Sequence, residues 1–332
     1  VFGGQGEGED YLETIRRIVR AERIDLILPV YEDAVRFVSV HRADLEQFCR
    51  CALTPPADLM DRLADKWQTA CLLGTSDIPL PETVLLTERN IRETSLLPPF
   101  PVLLKPLVGQ GGREVTLVAS REEFARLLQL GVLTPGRQIV QRFVRGHDID
   151  CSVLCRDGDI LAHTIQSAVL RHPVRFAPAV GVNFIHDEQV LRIARDVMGR
   201  LRWNGIAHLD MRKDEDSGAV LLLEINPRFW MSVIGSVHAG VNFPYLACRA
   251  AMGERFDPPA WREGPFVWRF QSAVRLLLTG RSLVGTGGMT PGRTVLRYSL
   301  ADPGPDLFPL AALPMRGWQR RPVTKQGGGQ ER

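Results

Sequence analysis

A chain of 332 residues, 45% apolar and 24% charged, has a globular composition, with a core large enough for two domains or one multi-lobed unit. Against 38 Asp and Glu, 41 Lys and Arg leave a net charge of +3, too mild to argue for a nucleic-acid partner or a membrane surface. Cys49, Cys51, Cys71, Cys151, Cys155 and Cys248 show no CxxC pair or zinc spacing, and neither a signal peptide nor a membrane-length apolar run is found, so a cytoplasmic, reducing setting is expected.

The glycine-rich start at residues 3–8 has no strand before it and no GxGxxG spacing, so it reads as a flexible end. Tyr11, Leu12, Ile15, Ile18 and Val19 recur at helical spacing, residues 25–30 form an apolar run expected as a buried strand, and a second helix is expected from 32 to 48. This is part of a doubly wound α/β layer, with a strand and helix expected before Val1. Pro55-Pro56 marks a boundary, a helix starts near Lys66, and Ile78-Pro-Leu-Pro81 is an extended linker. Next comes an apolar strand ending in Lys105, a glycine turn (Gly109, Gly111, Gly112, with Arg113) and a returning strand at 114–118. Ser120 caps a helix over 121–130. A strand at 138–144 is interrupted over 145–148 and resumes at 149–155, and Asp157-Gly158 turns into a partner at 160–166. Residues 168–184 have no clean period, and 188–203 form an amphipathic helix. A further helix is expected over 241–252, an extended appendage after Pro258-Pro259, and disorder at 326–332.

Residues 205–230 hold the densest pattern. Asp214 and Gly218 bound a charged turn, so the flanks read as an antiparallel hairpin. Alternation places Ile206, His208, Asp210 and Arg212 on one side of the first strand. In the second, Leu222, Glu224 and Asn226 share a side, and Leu221, Leu223 and Ile225 form the opposite, apolar one. Pairing of the polar faces would gather Asp210, Glu224 and Asn226, a set of oxygen donors suited to Mg²⁺ or Mn²⁺. A carboxylate inside Val-Leu-Leu-Leu-Glu-Ile is costly to bury without such a partner. Pro227 stops the strand, and Arg228 follows at the rim.

An acid followed by Glu224-Ile-Asn226-Pro-Arg228 resembles the metal-binding end of the ATP-grasp enzymes. The resemblance implies that Asp210, Glu224 and Asn226 hold magnesium on the ATP phosphates and that Arg228 contacts a substrate or the transferring phosphoryl group. In the family the first acid is more often Glu. Asp65-Lys66 resembles the family's Asp-Lys, which supplies one phosphate lysine. Lys105 before Gly109, Gly111 and Gly112 resembles the lysine beneath a glycine flap, which differs from a Walker loop since no Gly-Lys-Ser/Thr occurs. Gln141-Arg142-Phe-Val144 resembles the hinge strand whose backbone reads adenine, with Asp148 as the ribose acid.

The likeness covers about residues 25–255 and implies an α/β fold with α+β lobes: an N-terminal doubly wound layer, a small lid and a larger antiparallel-sheet lobe. The expected division is 1–62 N-terminal domain, truncated at its start; 63–144 linker helix and lid; 145–257 large lobe; 258–332 appendage and tail. The carboxylate–amine ligase branch, near the carbamoyl-phosphate-synthase-like members, is the best match. It implies ATP with Mg²⁺ (or Mn²⁺), a small-molecule carboxylate, amino acids among the candidates, and an amine. Arg171, His172 and Arg175 are candidate carboxylate clamps. Homo-oligomerisation stays open. The competing reading is an ATP-binding regulatory module without catalysis.

Overall fold

The computed structural model describes residues 8–109, 111–112, 114–170, 176–279 and 291–302. Arg113, Arg171, His172, Arg175, residues 3–7 and residues 326–332 lie outside them.

The N-terminal segment packs helix Gly8–Glu22 and helix Glu32–Val40 around a parallel pair, β1 (Leu26–Ile27) and β2 (Arg50–Cys51). Val38, Leu45 and Cys51 form its small core with Leu12, Ile15, Ile27 and Phe37. The strand expected at 25–30 shrinks to two residues, all that the two-residue β2 can pair, and Pro29 offers no N–H to extend it. The helix expected over 32–48 breaks at His41 and resumes as Arg42–Leu45. Arg42 pulls the second piece toward the chain beyond β2, donating to Ala52 O at 2.6 Å and Thr54 Oγ1 at 3.0 Å. Asp65 then splits helices Ala57–Ala64 and Lys66–Leu73 and caps the second, accepting from Trp67 N (2.8 Å) and Gln68 N (3.0 Å).

Four antiparallel strands make the small sheet: β3 (Thr83–Leu85), β4 (Val102–Pro106), β5 (Thr116–Val118) and β6 (Gln138–Arg142), in the order β3-β6-β4-β5. Val102, Leu104, Val118 and Val140 turn one face onto Phe124 of helix Arg121–Gln129. That helix carries the expected Ser120 cap, and the Glu123 carboxylate reaches back to Ala119 N at 2.6 Å.

The large sheet is antiparallel, in the order β11-β10-β7-β8-β9-β12. It contains β7 (Gly146–Arg156), β8 (Asp159–Leu170), β9 (Gly181–Phe184), β10 (Gly205–Asp214), β11 (Val220–Asn226) and β12 (Gly264–Val267). Helix Glu188–Leu201 buries Val190, Ile193, Ala194, Val197 and Met198 against it. Its fully buried neighbours include Trp203, Phe243 and Phe266. The helix expected over 241–252 begins at Phe243, because Asn242 caps it through Tyr245 N at 3.1 Å. Strands β9 and β12 were not anticipated; β12 falls beyond residue 257, within the stretch expected as an appendage, and pairs with β9.

The run expected as one interrupted strand from 138 to 155 is two strands of two sheets. The break covers residues 143–145, earlier than expected, so His147 and Asp148 lie within β7. Two contacts impose it. Arg212 donates from Nε to Val144 O at 2.7 Å, and Gly146 packs its backbone on Lys213 O at φ +136. A Cβ at residue 146 would lie 1.9 Å from that oxygen. Gly146→Ala should therefore lower stability by about 2 kcal/mol or more, read as a lower denaturant midpoint. A midpoint equal to wild type would show that the close approach does not hold β7 in place.

Candidate functional site

The two sheets face each other across a cleft of about 760 Å³. Every candidate residue named from the sequence lines it, apart from Arg171, His172 and Arg175, which lie outside the described residues.

On the small-sheet side, Lys66 Nζ donates to Gly109 O at 2.9 Å and so holds the glycine turn. Lys105, on β4, donates to Gln141 Oε1 on β6 at 2.7 Å, and Gln141 Nε2 donates to Thr83 Oγ1 at 2.9 Å. Burial pushes the Lys105 pKa down to about 8, against a smaller opposing pull from Glu224. Gly112 has φ +69, and a Cβ there would meet Phe176 O at 2.4 Å, so the turn abuts the chain between β8 and β9.

At the junction of the sheets the polar side chains are tied down. The Arg142 guanidinium reaches Asp214 at 3.2 Å, away from its own strand. Arg212 pairs with Asp148 and donates to Gly146 O at 2.8 Å as well as to Val144 O.

The large-sheet side carries the carboxylates. Register places His208 opposite Asn226 and Asp210 opposite Glu224, so the polar faces meet as expected. Asn226 Nδ2 donates to Asp210 Oδ2 at 3.2 Å, and Arg228 Nη2 donates to Asn226 Oδ1 at 3.0 Å. One expectation is corrected. Because Met211 pairs with Leu222, Leu223 is an extra residue in a bulge. Leu222 therefore joins the core, and Leu223 lines the cleft beside Glu224.

Behind these candidate ligands lies a layer whose Asp150 and Glu32 were not singled out from the sequence. Asp150, on β7, is the register partner of Asp210 and accepts from Gln166 Nε2 at 3.4 Å. His208 Nε2 stands 3.3 Å from Asp210 Oδ1 and 3.9 Å from Asp150 Oδ2, while Nδ1 meets Ser152 Oγ at 2.9 Å. Burial, then the Arg228 charge, pushes the His208 pKa down to about 3. Burial and the Asp148 charge push Asp150 up to about 7; burial, Asp150 and Glu224 raise Asp210 well above the carboxylate range. Glu32, the first residue of the helix that follows β1, is within electrostatic reach of Arg228, Glu224 and Lys66. Strand alternation from Asp148 reaches Asp150 directly. Nothing local points to Glu32.

Crowded carboxylates that resist ionisation are what an oxygen-coordinated divalent cation relieves, so this donor set fits Mg²⁺ or Mn²⁺. No helix among the described residues is long and apolar enough to cross a membrane.

Two antiparallel sheets face paired lysines, a glycine turn and a Glu-x-Asn strand end across one cleft, and the part of the chain that holds most of the large sheet matches an ATP-grasp family. Residues 137–272 match the family described as "ATP-grasp in the biosynthetic pathway with Ter operon". The chain is 25% identical over 259 residues to the D-aspartate ligase of Enterococcus faecium (strain Aus0004), covering 69% of this chain and 60% of that protein. It is 26% identical over 227 residues to the carbamoyl phosphate synthase large chain of Thermomicrobium roseum, covering 65% and 21%. The match thus spans less than two thirds of either relative. In fold it is similar to the biotin carboxylase domain of Hydrogenobacter thermophilus 2-oxoglutarate carboxylase, solved with MgADP, ADP and bicarbonate (TM-score 0.60, 18% identity, 76% of this chain and 60% of that one). It is also similar to the L-amino acid ligase of Bacillus licheniformis (TM-score 0.54, 19% identity, 77% and 62%).

The Lys105 shift has a testable sign. With the folded pKa near 8 and the unfolded one near the ordinary 10.5, the unfolded chain holds more protons between those values. The buried charge thus lowers stability below pH 8, and that cost is relieved as pH rises toward 10.5. Unliganded wild type should gain stability relative to Lys105→Met over that window, measured by denaturant melts at pH 7, 9 and 10. A difference independent of pH would show that Lys105 is solvated.

Proposed function

We propose that the protein is an ATP-dependent ligase that activates a carboxylate as an acyl phosphate and joins it to an amine, releasing ADP and phosphate. The observation that supports it is the convergence of Asp210, Glu224, Asn226 and Arg228 opposite Lys66 and Lys105 in one cleft. Lys66, Lys105 and the backbone at Gly109, Gly111 and Gly112 would hold the phosphates. The Gln141, Arg142 and Val144 backbone would take the adenine edge, and Asp148 the ribose hydroxyls. Asp210, Glu224 and Asn226 would hold Mg²⁺ or Mn²⁺, which neutralises charge on the phosphates. Arg228, at the strand end, would meet the substrate carboxylate.

The substrate carboxylate oxygen attacks the γ-phosphorus and ADP departs. The amine nitrogen then attacks the acyl carbon, phosphate leaves, and the nitrogen loses its proton. Positioning and charge neutralisation carry both steps, without a protein nucleophile. Amino acids are the first substrates to try, given the names of the D-aspartate ligase and the L-amino acid ligase it resembles. In this reading the small sheet closes over the cleft as a lid hinged at residues 143–145, the division near residues 62, 144 and 257 is kept with β12 added to the large lobe, and six unpaired cysteines suit the cytoplasm. A regulatory module that binds ATP without turnover would not need the carboxylates or Arg228.

Glu224→Gln removes one ligand charge at nearly constant volume. Phosphoryl transfer should fall on the order of a hundredfold or more, while nucleotide affinity falls modestly because Lys66 and Lys105 remain. Arg228→Ala should lower turnover with Mg·ATP affinity nearly intact. ADP release beside calorimetric affinity separates the two effects. Near-full turnover in Glu224→Gln would remove the metal assignment, and tight Mg·ATP binding with no transfer to any acid would favour the regulatory module.

A further inference from the structure

The sheet face that lines the cleft changes character along the strand order. On β11, β10 and β7 it presents Glu224, Asp210 and Asp150. On β8 it presents Gln166 and then Ala168, and Ala168 is the register partner of Val182 on β9. Gln166 closes the polar end: its amide donates to Asp150 and its carbonyl accepts from Ser232 Oγ at 2.8 Å. Beyond it Ala168 and Val182 form the floor. Trp230 and Met231, just past Arg228, supply a wall, and Trp268, anchored through Nε1 to Ala179 O at 2.9 Å, supplies another. Met231 stands 61% exposed at this end, an apolar side chain held beside a cavity with little to cover it.

The parts assigned to nucleotide and metal stop at Arg228, so this apolar chamber is unassigned space adjoining the group that would meet the substrate carboxylate. A ligand anchored at Arg228 projects its remaining atoms either back into the carboxylates or onward into the chamber. The described side chains of the far end, Ala168, Val182, Trp230, Met231 and Trp268, carry no charge and so give a charged substituent no partner. An aliphatic or aromatic substituent gains from the same burial. Resting on the ligase reading, we propose that the activated acid carries an aliphatic or aromatic side chain, seated on Ala168 and Val182 between Trp230, Met231 and Trp268.

Hydroxylamine tests this without the native amine, because it captures an acyl phosphate as a hydroxamate whatever the second substrate is. With Mg·ATP, leucine, phenylalanine and 4-methylpentanoate should give hydroxamate with kcat/KM at least tenfold above aspartate, glutamate or lysine. Ala168→Phe fills the floor and should raise KM for phenylalanine at least tenfold with Mg·ATP affinity unchanged. Met231→Lys, at an exposed position that the fold tolerates, should act in the same direction. A preference for charged acids, or indifference to the side chain, overturns the proposal. If no acid yields hydroxamate or ADP, the ligase reading fails, and the chamber is then judged by binding alone. Leucine or phenylalanine, added with Mg²⁺ and an unhydrolysable ATP analogue, should shift tryptophan emission in wild type but not in Ala168→Phe. No shift, or an equal one with aspartate, overturns it.

Discussion

The pairing of β10 with β11 is the constraint on which the site depends. It places Asp210 beside Glu224, and the pairing of β10 with β7 adds Asp150 behind them. Like charges at such spacing repel, and the strands hold them together because Leu209, Met211, Leu222 and Ile225 bury the opposite face in the core. Hydrophobic burial on one face thus sustains electrostatic crowding on the other. Asn226 and Arg228 offset part of it by donating inward, and in the proposed function a bound cation would offset the rest.

Two arginines connect that cluster to the small sheet. Arg212 sits on the same face of β10 as Asp210 and spends its guanidinium on Asp148 and on the carbonyls of Val144 and Gly146. Arg142 crosses from β6 to Asp214 at the far end of β10. The chain between the sheets is therefore held by side chains of the strand that carries a metal-ligand candidate. In the proposed function, a movement of the small sheet about residues 143–145 would pull on β10 through these contacts and so tie closure over the phosphates to the geometry at Asp210.

Much of this was legible in the sequence because it is local. The Glu224-Ile-Asn226-Pro-Arg228 end, Lys105 ahead of its glycines, and the Ser120 cap each declare themselves within a few residues. What was not legible depends on partners distant in sequence. Val220 to Leu223 are four aliphatic residues in a row, so alternation alone does not say which leucine faces the cleft; the bulge opposite Met211 decides it. The break after Arg142 was assigned to Arg145-Gly146-His147-Asp148, yet the deciding contacts come from Arg212 and Lys213. Asp150 alternates correctly with Asp148, but its meaning arises from a register with Asp210 that no short window contains. Strand β12, with Gly264 and Pro265 in four residues, is the kind of edge strand that periodicity misses.

The shorter acid at 210 also finds an account in its surroundings. Asp keeps its carboxylate nearer the sheet than Glu would, which brings it within 3.3 Å of His208 Nε2. A ring with its pKa pushed down to about 3 is neutral at physiological pH. Its Nδ1 meets the Ser152 hydroxyl at 2.9 Å and its Nε2 faces the Asp210 carboxyl, so both ring nitrogens look onto polar neighbours. His208 stacks on Trp230 with ring centroids 5.4 Å apart, so it cannot swing away from that position cheaply. The histidine therefore stands against Asp210 as a neutral ring. A charged imidazolium in the same place would compete with a divalent cation for the carboxylate, and burial is what keeps that competitor from forming.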